Sequence, residues 1–433
     1  MPETLLDKIA SRRARVGVIG LGYVGLPLAM EFALKGFTVT GFDLDRAKVR
    51  GLSAGRSHIP DVPAASVADA VRRGRFRATD RFEALARMDA VVICVPTPLR
   101  KTKEPDLTFI VSACEALAPR LRKGQLVVLE STTYPGTTSE LVRPLFEKRG
   151  LKAGRDFHLA FSPERVDPAN KTYRIANTPK VVGGLTPACG RAAQALYGAV
   201  VERVVPVSST EAAEMVKLLE NTFRAVNIAM VNEMAVMCHR LGVDIWEIVA
   251  AASTKPFGFM PFYPGPGLGG HCIPVDPSYL AWKMKSLNFE PRFIELAATI
   301  NSRMPDYAVE RLTELLNERR RALKGSRILV LGAAYKPDVN DVRESPSLDV
   351  MKLLMDRGAR VSYHDPYIPA VSVGPRRLRS APLTEASLRA CDAALILTAH
   401  RRVDYGLVLA HAPLVFDARN ATAGRRRRNL ERL

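Results

Sequence analysis

The sequence predicts a doubly wound α/β fold, built twice around a helical middle, and three observations predict it. Short apolar runs of strand length alternate with helix-length segments from Arg15 to Val207, and again from Arg327 to Asp417. A glycine-rich turn joins the first of these runs to the first helix. Between the two halves, Ser208 to Leu241 contains no glycine or proline and reads as one unbroken helix.

Composition narrows the class. At 433 residues the chain is too long for one ordinary core, and 47% apolar with 25% charged residues is the balance of a soluble globular protein. No apolar run approaches the ~18–20 residues of a membrane span. Met1–Arg15 lacks a signal-like apolar region, so a cytoplasmic protein with no membrane partner is expected. Six cysteines (94, 114, 189, 238, 272 and 391) show no short metal spacing, which implies free thiols and no metal. The net charge of +19 raises the possibility of nucleic acid. The arginines are dispersed, however, and no nucleic-acid motif accompanies them, so no such partner is expected. Arg425–Arg428 reads as a solvated tail, and an anionic small molecule suits the charge equally well.

In chain order, Arg15–Gly20 is a buried strand that runs into Gly20-Leu-Gly22-Tyr23-Val24-Gly25 and a helix over Leu26–Lys35. The next strand, Thr38–Asp43, ends in an acid 18 positions after Gly25. A GxGxxG set between strand and helix, with such an acid, is a dinucleotide site. Gly20 makes the turn, Gly22 admits the pyrophosphate, and Gly25 lets helix and strand approach. Asp43 would accept from the adenosine ribose, which favours NAD, with Lys48 nearby. Further strands at Ala90–Val95, Gln125–Glu130, Phe157–Phe161, Lys180–Gly183 and Val201–Val207 place Thr97, Thr132 and Glu164 at strand ends, where ligands of such sheets bind.

On the long helix, Lys217, Asn221 and Arg224 recur at i, i+4 and i+7 and share a stripe. Asp244–Ala252 and Phe293–Arg303 read as further helices and Val309–Leu323 as another. Strands at Arg327–Gly332, Val361–Asp365, Ala393–Thr398 and Leu414–Asp417 make a second doubly wound domain. Its first turn has a single glycine and carries Lys336 and Arg343, and Arg419 follows its last strand. Inside the helical middle, Tyr263–Tyr279 packs four glycines and two prolines between Pro264 and Gly270, so it is neither helix nor strand. It can bring bare backbone against a ligand and hold Cys272, with His271 beside it and Asp276 four positions on. On these residues alone Cys272 is either a nucleophile or a small packed side chain.

Six strings, in order, together resemble the UDP-glucose/GDP-mannose dehydrogenases over essentially the whole chain. They are Gly20-Leu-Gly-Tyr-Val-Gly-Leu-Pro, Glu130-Ser-Thr, Ser162-Pro-Glu, Lys217-Leu-Leu-Glu-Asn221, Gly269-Gly-His-Cys-Ile-Pro-Val-Asp276 and Tyr335-Lys-Pro-Asp…Arg343-Glu-Ser-Pro. The resemblance implies an NAD-binding Rossmann-like domain over residues 1–207, a helical dimerisation domain with the cysteine loop over 208–308, and a UDP-binding domain over 309–433. It implies oxidation of a sugar C6 alcohol to the acid by two NAD, with Cys272 forming a thiohemiacetal and then a thioester. By the same resemblance Lys217 and Asn221 stabilise the oxyanion, Glu164 is the hydrolytic base, Thr132 positions water, and Asp276 assists a proton transfer.

Gly20, Gly22, Tyr23, Val24, Gly25, Asp43, Lys48, Thr97, Thr132 and Arg343 would then hold NAD. Glu164, Arg165, Lys217, Asn221, Tyr263, Gly269, Lys336 and Arg419 would hold the UDP-sugar. Val275-Asp276 and the string from Arg165 to Asn170 look like the bacterial branch acting on UDP-N-acetylhexosamines, with UDP-N-acetylglucosamine first and UDP-N-acetylmannosamine, then UDP-glucose, as alternatives. Arg165 is a candidate donor to the acetamido group. A homodimer or higher oligomer is implied. The remote alternatives are a single-oxidation NAD dehydrogenase and a non-catalytic NAD- or nucleic-acid-binding scaffold.

Overall fold

A computed structural model describes residues 3–100, 104–166, 170, 172–270 and 272–433. These form two compact units: Met1–Glu220 with Ser278–Asn288, and Asn221–Pro277 with Phe289–Leu433. Each is taken by itself.

The first unit is built on an eight-stranded sheet. Its strands are β1 (Arg15–Ile19), β2 (Thr38–Phe42), β3 (Phe76–Thr79), β4 (Ala90–Ile93), β5 (Leu126–Leu129), β6 (His158–Phe161), β7 (Lys180–Gly184) and β8 (Val204–Val207). They lie in the order β3-β2-β1-β4-β5-β6-β7-β8. Both faces are covered. Ala90 and Val92 of β4 join one apolar core while Val91 and Ile93 join the other, and β5 divides the same way. That two-sided burial is why these strands read as unbroken apolar runs. One pairing departs from the parallel pattern: β7 runs antiparallel to β6, with Phe161 opposite Gly183 and Ala160 opposite Gly184.

The second unit carries a parallel sheet of β9 (Arg327–Leu331), β10 (Arg360–His364), β13 (Ala393–Ile396), β14 (Val415–Asp417) and β15 (Leu430–Arg432), in the order β10-β9-β13-β14-β15. A separate hairpin pairs β11 (Ala370–Val373) with β12 (Arg376–Arg379). The spine helix is continuous from Thr210 to Leu241, as the absence of breakers implies.

The expected pair of helices at Phe293–Arg303 and Val309–Leu323 is instead one helix, Arg292–Glu318, with Pro305 inside it. A mid-helix proline costs about 3 kcal/mol. Here Met304, Pro305, Ala308, Val309 and Leu312 are all buried, and that packing carries the helix through. Arg425–Arg428 are exposed, but β15 extends the sheet and the Leu433 carbonyl accepts from Trp246 Nε1 at 3.1 Å.

Each sheet uses one device at its first turn. Gly20 and Gly332 both sit at φ +91, and an acid after the next strand takes up the amides that the turn exposes. Asp43 accepts from Leu21 N at 2.9 Å. Asp365 accepts from Ala333 N at 2.8 Å and Ala334 N at 3.0 Å, while its other oxygen accepts from Tyr367 N and Ile368 N. His400, wholly buried, takes Asp338 N on Nδ1, so Nε2 carries the proton and donates to Asp365 at 3.0 Å. Burial opposes ionisation of Asp365, but His400 and the amides outweigh it and hold its carboxyl below the usual range.

Replacing Asp365 by Asn should therefore destabilise this unit by about 3 kcal/mol at pH 7, since a charged acceptor is lost among fixed donors. The group's folded pKa is lowered, so its contribution is complete above the unfolded pKa of about 3.9 and disappears as pH falls through the folded value. Denaturant unfolding of the two proteins should show a gap that is constant from pH 5 to 8 and closes in acid. A gap that widens in acid would contradict this account.

Candidate active site

The first turn is shaped for a dinucleotide. A Cβ on Gly20 would lie 2.4 Å from the Cys94 carbonyl oxygen, and one on Gly25 would lie 1.8 Å from the Gly20 carbonyl oxygen, so both positions exclude any side chain. A Cβ on Gly22 would meet nothing within 4 Å, which leaves bare backbone open to a ligand. The helix Gly25–Leu34 starts there without a capping side chain, and its amides suit a pyrophosphate. Tyr23 is exposed and Val24 half-buried beside it. Asp43 is tied to the turn through Leu21 and to Asp45 N at 2.9 Å, and Lys48 Nζ stands 4.0 Å from its carboxylate. These residues fit NAD.

Around the same sheet's carboxyl edge lie the other expected residues of this unit. Thr97 is buried, and its carbonyl accepts from Tyr279 OH at 2.8 Å. Thr132 is half-buried after β5. Glu164 follows β6. One of its oxygens accepts from Arg165 N at 2.9 Å and Val166 N at 2.6 Å, and the other from Lys180 Nζ at 3.1 Å. Lys180 also pairs with the wholly buried Glu130. Arg165 forks onto Glu220 at 2.6 and 3.3 Å and donates to the Pro179 carbonyl at 2.7 Å. Its guanidinium is thus committed to the spine helix, which weakens the case for an acetamido donor. Lys217 is half-buried on that helix.

In the second unit the glycine loop is fixed by backbone contacts. Gly265 N donates to Asn232 Oδ1 at 2.9 Å, Asn232 Nδ2 to Asn301 Oδ1 at 2.9 Å, and Asn301 Nδ2 to the Ala225 carbonyl at 3.1 Å. Gly270 N donates to the Arg343 carbonyl at 3.1 Å. A Cβ on Gly269 would lie 2.8 Å from Tyr335 Cβ and 2.9 Å from Pro346 Cδ, and one on Gly270 would lie 2.7 Å from the Tyr335 ring. These glycines let the loop pack closely on the first turn of the second sheet.

The loop leaves Cys272 exposed, in contrast to the other five cysteines, which are buried. Its carbonyl accepts from Val275 N at 3.1 Å and Asp276 N at 2.8 Å, where the helix Asp276–Lys285 begins. Asp276 is buried and accepts from Asn221 Nδ2 at 2.5 Å. Arg224, on the same helical stripe as Asn221, is exposed. His271 lies outside the described residues.

Tyr263 is exposed and stacks on Trp246 with ring centroids 6.4 Å apart. Lys336 is half-buried, and Arg343 forks onto Asp341 at 2.6 and 3.0 Å. Arg419 donates to the Leu397 carbonyl at 3.1 Å. Among the described residues no carboxylate lies within ion-pair distance of it, and burial alone pulls its pKa down to about 10. A half-buried guanidinium in that state suits an anionic ligand. Among the described residues no group of three or more His, Cys, Asp or Glu side chains is placed to hold a metal ion.

Sequence profiles of one family match nearly the whole chain. The NAD-binding domain of the UDP-glucose/GDP-mannose dehydrogenase family matches residues 14–201, its central domain 211–303, and its UDP-binding domain 329–424. The chain belongs to this family. It is an NAD-dependent nucleotide-sugar 6-dehydrogenase, and no helix among the described residues is long and apolar enough to cross a membrane.

A UDP-N-acetyl-D-glucosamine 6-dehydrogenase of Pseudomonas aeruginosa is 36% identical over 388 residues, covering 89% of this chain and 90% of that one. A UDP-N-acetyl-D-mannosamine dehydrogenase of Pyrococcus horikoshii is 36% identical over 356 residues, covering 82% and 84%. A solved structure of UDP-D-ManNAc dehydrogenase from that organism superposes with a TM-score of 0.88 at 33% identity, covering 96% of this chain and 98% of that one.

Sequence reasoning missed Lys180 and Asn232. Lys180 opens a strand after Asn177-Thr178-Pro179 and Asn232 lies beside Glu233 on the spine helix, so neither stands out, and only the strand reversal and the loop contact reveal them. It also missed Gly265, whose added Cβ would lie 2.2 Å from Arg419 Nη1. The obstructing atom is the tip of a flexible side chain, so Gly265→Ala should move the guanidinium and leave the fold standing. Calorimetry with UDP should show affinity down by about tenfold, or 1.4 kcal/mol, with the thermal midpoint nearly unchanged. Unaltered UDP affinity would detach Arg419 from the ligand.

Proposed function

We propose that this enzyme oxidises the C6 alcohol of UDP-N-acetylglucosamine to the carboxylate, in the cytoplasm, for surface-polysaccharide synthesis. The observation that carries the chemistry is Cys272: an exposed thiol on a loop pinned by its backbone, beside the hydrogen-bonded pair of Asn221 and Asp276. Bound NAD supplies the hydride acceptor for both oxidations, and the residues proposed to hold it are Gly20, Gly22, Tyr23, Val24, Gly25, Asp43, Lys48, Thr97, Thr132 and Arg343.

Cys272, as thiolate, adds to C6 of the aldehyde left by the first oxidation, and the new S–C bond makes a thiohemiacetal that can lose a second hydride. Lys217 and Asn221, one helical turn apart, stabilise the oxygen of that adduct as cation and donor. The resulting thioester is cleaved by water, positioned by Thr132 and deprotonated by Glu164, and Asp276 carries a proton at the sulfur side. Lys336, Tyr263, Gly269 and Arg419 hold the nucleotide sugar. In this reading residues 1–207, 208–308 and 309–433 are the working domains.

The relatives support both N-acetylhexosamine readings. UDP-N-acetylmannosamine is the second choice, favoured by the fold likeness to the Pyrococcus horikoshii enzyme. NADH release should be fastest with UDP-N-acetylglucosamine in a panel that also holds UDP-N-acetylmannosamine, UDP-N-acetylgalactosamine and UDP-glucose. A leading rate with any other sugar removes the first choice.

A homodimer is also proposed. Phe223, Met230, Met234, Met237 and Leu241 recur along one stripe of the spine helix and are all exposed, Leu241 at 76%. Light scattering should give at least twice the 47.5 kDa of one chain, and Met234→Glu should shift the mass toward one. A monomeric parent protein would end this proposal.

A further inference from the structure

We propose that Lys180 is a positioning residue for Glu164, held to that task by Glu130 and Tyr197. The inference rests on the reading of Glu164 as the base for thioester hydrolysis.

The topology makes the case. In a wholly parallel sheet the first residue of a strand lies at the edge remote from the ligands. Because β7 runs against β6, its first residue arrives at the carboxyl edge instead. Continuing the register from Phe161 opposite Gly183 sets Lys180 across from Glu164, and Lys180 Nζ reaches that carboxylate at 3.1 Å. Ser162 Oγ locks the same register by donating to the Val181 carbonyl at 2.8 Å.

The lysine has no freedom to leave. It pairs with Glu130, whose other oxygen accepts from Tyr197 OH at 2.5 Å, and the Tyr197 ring lies 5.3 Å beneath the ammonium. Glu164 is thus gripped on both oxygens, by two backbone amides on one and by Lys180 on the other. That grip fixes the plane of the carboxylate.

Among the described residues one cation, Lys180, faces the two carboxylates, so the proton must choose between them. Burial pushes Glu130, the deeper of the two, up to about 7. Burial opposes the charge on Glu164 as well, but Lys180 and a hydrogen bond from Glu130 overcome it and hold it at about 2. The negative charge therefore sits on Glu164, at a cost in basicity. Among the described residues the other titratable groups beside this cluster are the Cys94 thiol, which burial keeps protonated, and Arg165, which is turned onto Glu220. A structural ion pair would hold the strands together but would leave the pH dependence of hydrolysis unchanged.

The test is a single turnover with the UDP-sugar that releases NADH fastest, quenched in acid between pH 5.5 and 8.5. The fraction of enzyme carrying the covalent sugar is read by intact mass. Glu164→Gln should accumulate the adduct at every pH. Lys180→Met should hydrolyse it at high pH and accumulate it as pH falls, by roughly tenfold in hydrolysis rate per pH unit below the raised pKa of Glu164. Wild type should show no such acid limb from this group.

Removing Lys180 alone leaves buried carboxylates without a cation. Glu130→Gln/Lys180→Met removes the second carboxylate, leaves Glu164 as the one acid without its cation, and should show the same acid limb. Wild-type pH dependence in both Lys180 variants, with Glu164→Gln blocked, would overturn the inference. Full hydrolysis by Glu164→Gln would overturn the reading beneath it.

Discussion

A thiol proposed to meet one carbon atom needs a fixed position, and Cys272 stands on a segment with no ladder or helix of its own. What fixes it is backbone: Gly270 N on the Arg343 carbonyl, Gly265 N on Asn232, and glycine faces laid against Tyr335 and Pro346. Such contacts admit no side chain. They also leave little slack, because hydrogen bonds on glycine amides fix the chain where side-chain contacts would allow it to hop between rotamers. Asn232 then passes the constraint to Asn301 and so to the long helix Arg292–Glu318. The cysteine loop is thereby tied to that helix.

The two sheets apply one solution to different ends. Both have a left-handed glycine after the first strand and an acid after the second. In the first sheet Gly22 and Gly25 follow, the helix starts at once, and open backbone remains for a pyrophosphate. In the second, the acid is surrounded by four amides and His400, and the next helix waits until Pro346. The intervening turn carries Tyr335, Lys336 and Arg343 and receives the cysteine loop. A dinucleotide turn and a loop-docking turn thus differ by a few glycines and the length of chain before the helix.

Much of the fold was legible because two-sided burial writes itself as apolar runs, as in Ala90–Ile93 and Leu126–Leu129. The short strands Phe76–Thr79 and Arg376–Arg379 were not, since arginines interrupt their apolar pattern and most of their side chains are not buried. Pro305 misled for a different reason: local chemistry forbids what tertiary packing imposed. Motif strings named Cys272, Asn221, Asp276 and Glu164 directly as candidates. Lys180 escaped because strand direction leaves no mark on composition, and its contact with Glu164 exists only through the reversal of β7. Arg165 went the other way: a cation that reads as available from the sequence has Glu220 on it.

The central claim is that one thiol carries the sugar through two oxidations. Counting NADH against sugar consumed, with an aldehyde trap present, tests it most directly. The account predicts two NADH per sugar and no trapped aldehyde in wild type, and a slow or arrested enzyme after Cys272→Ser. One NADH per sugar, with aldehyde recovered and no dependence on residue 272, would contradict it.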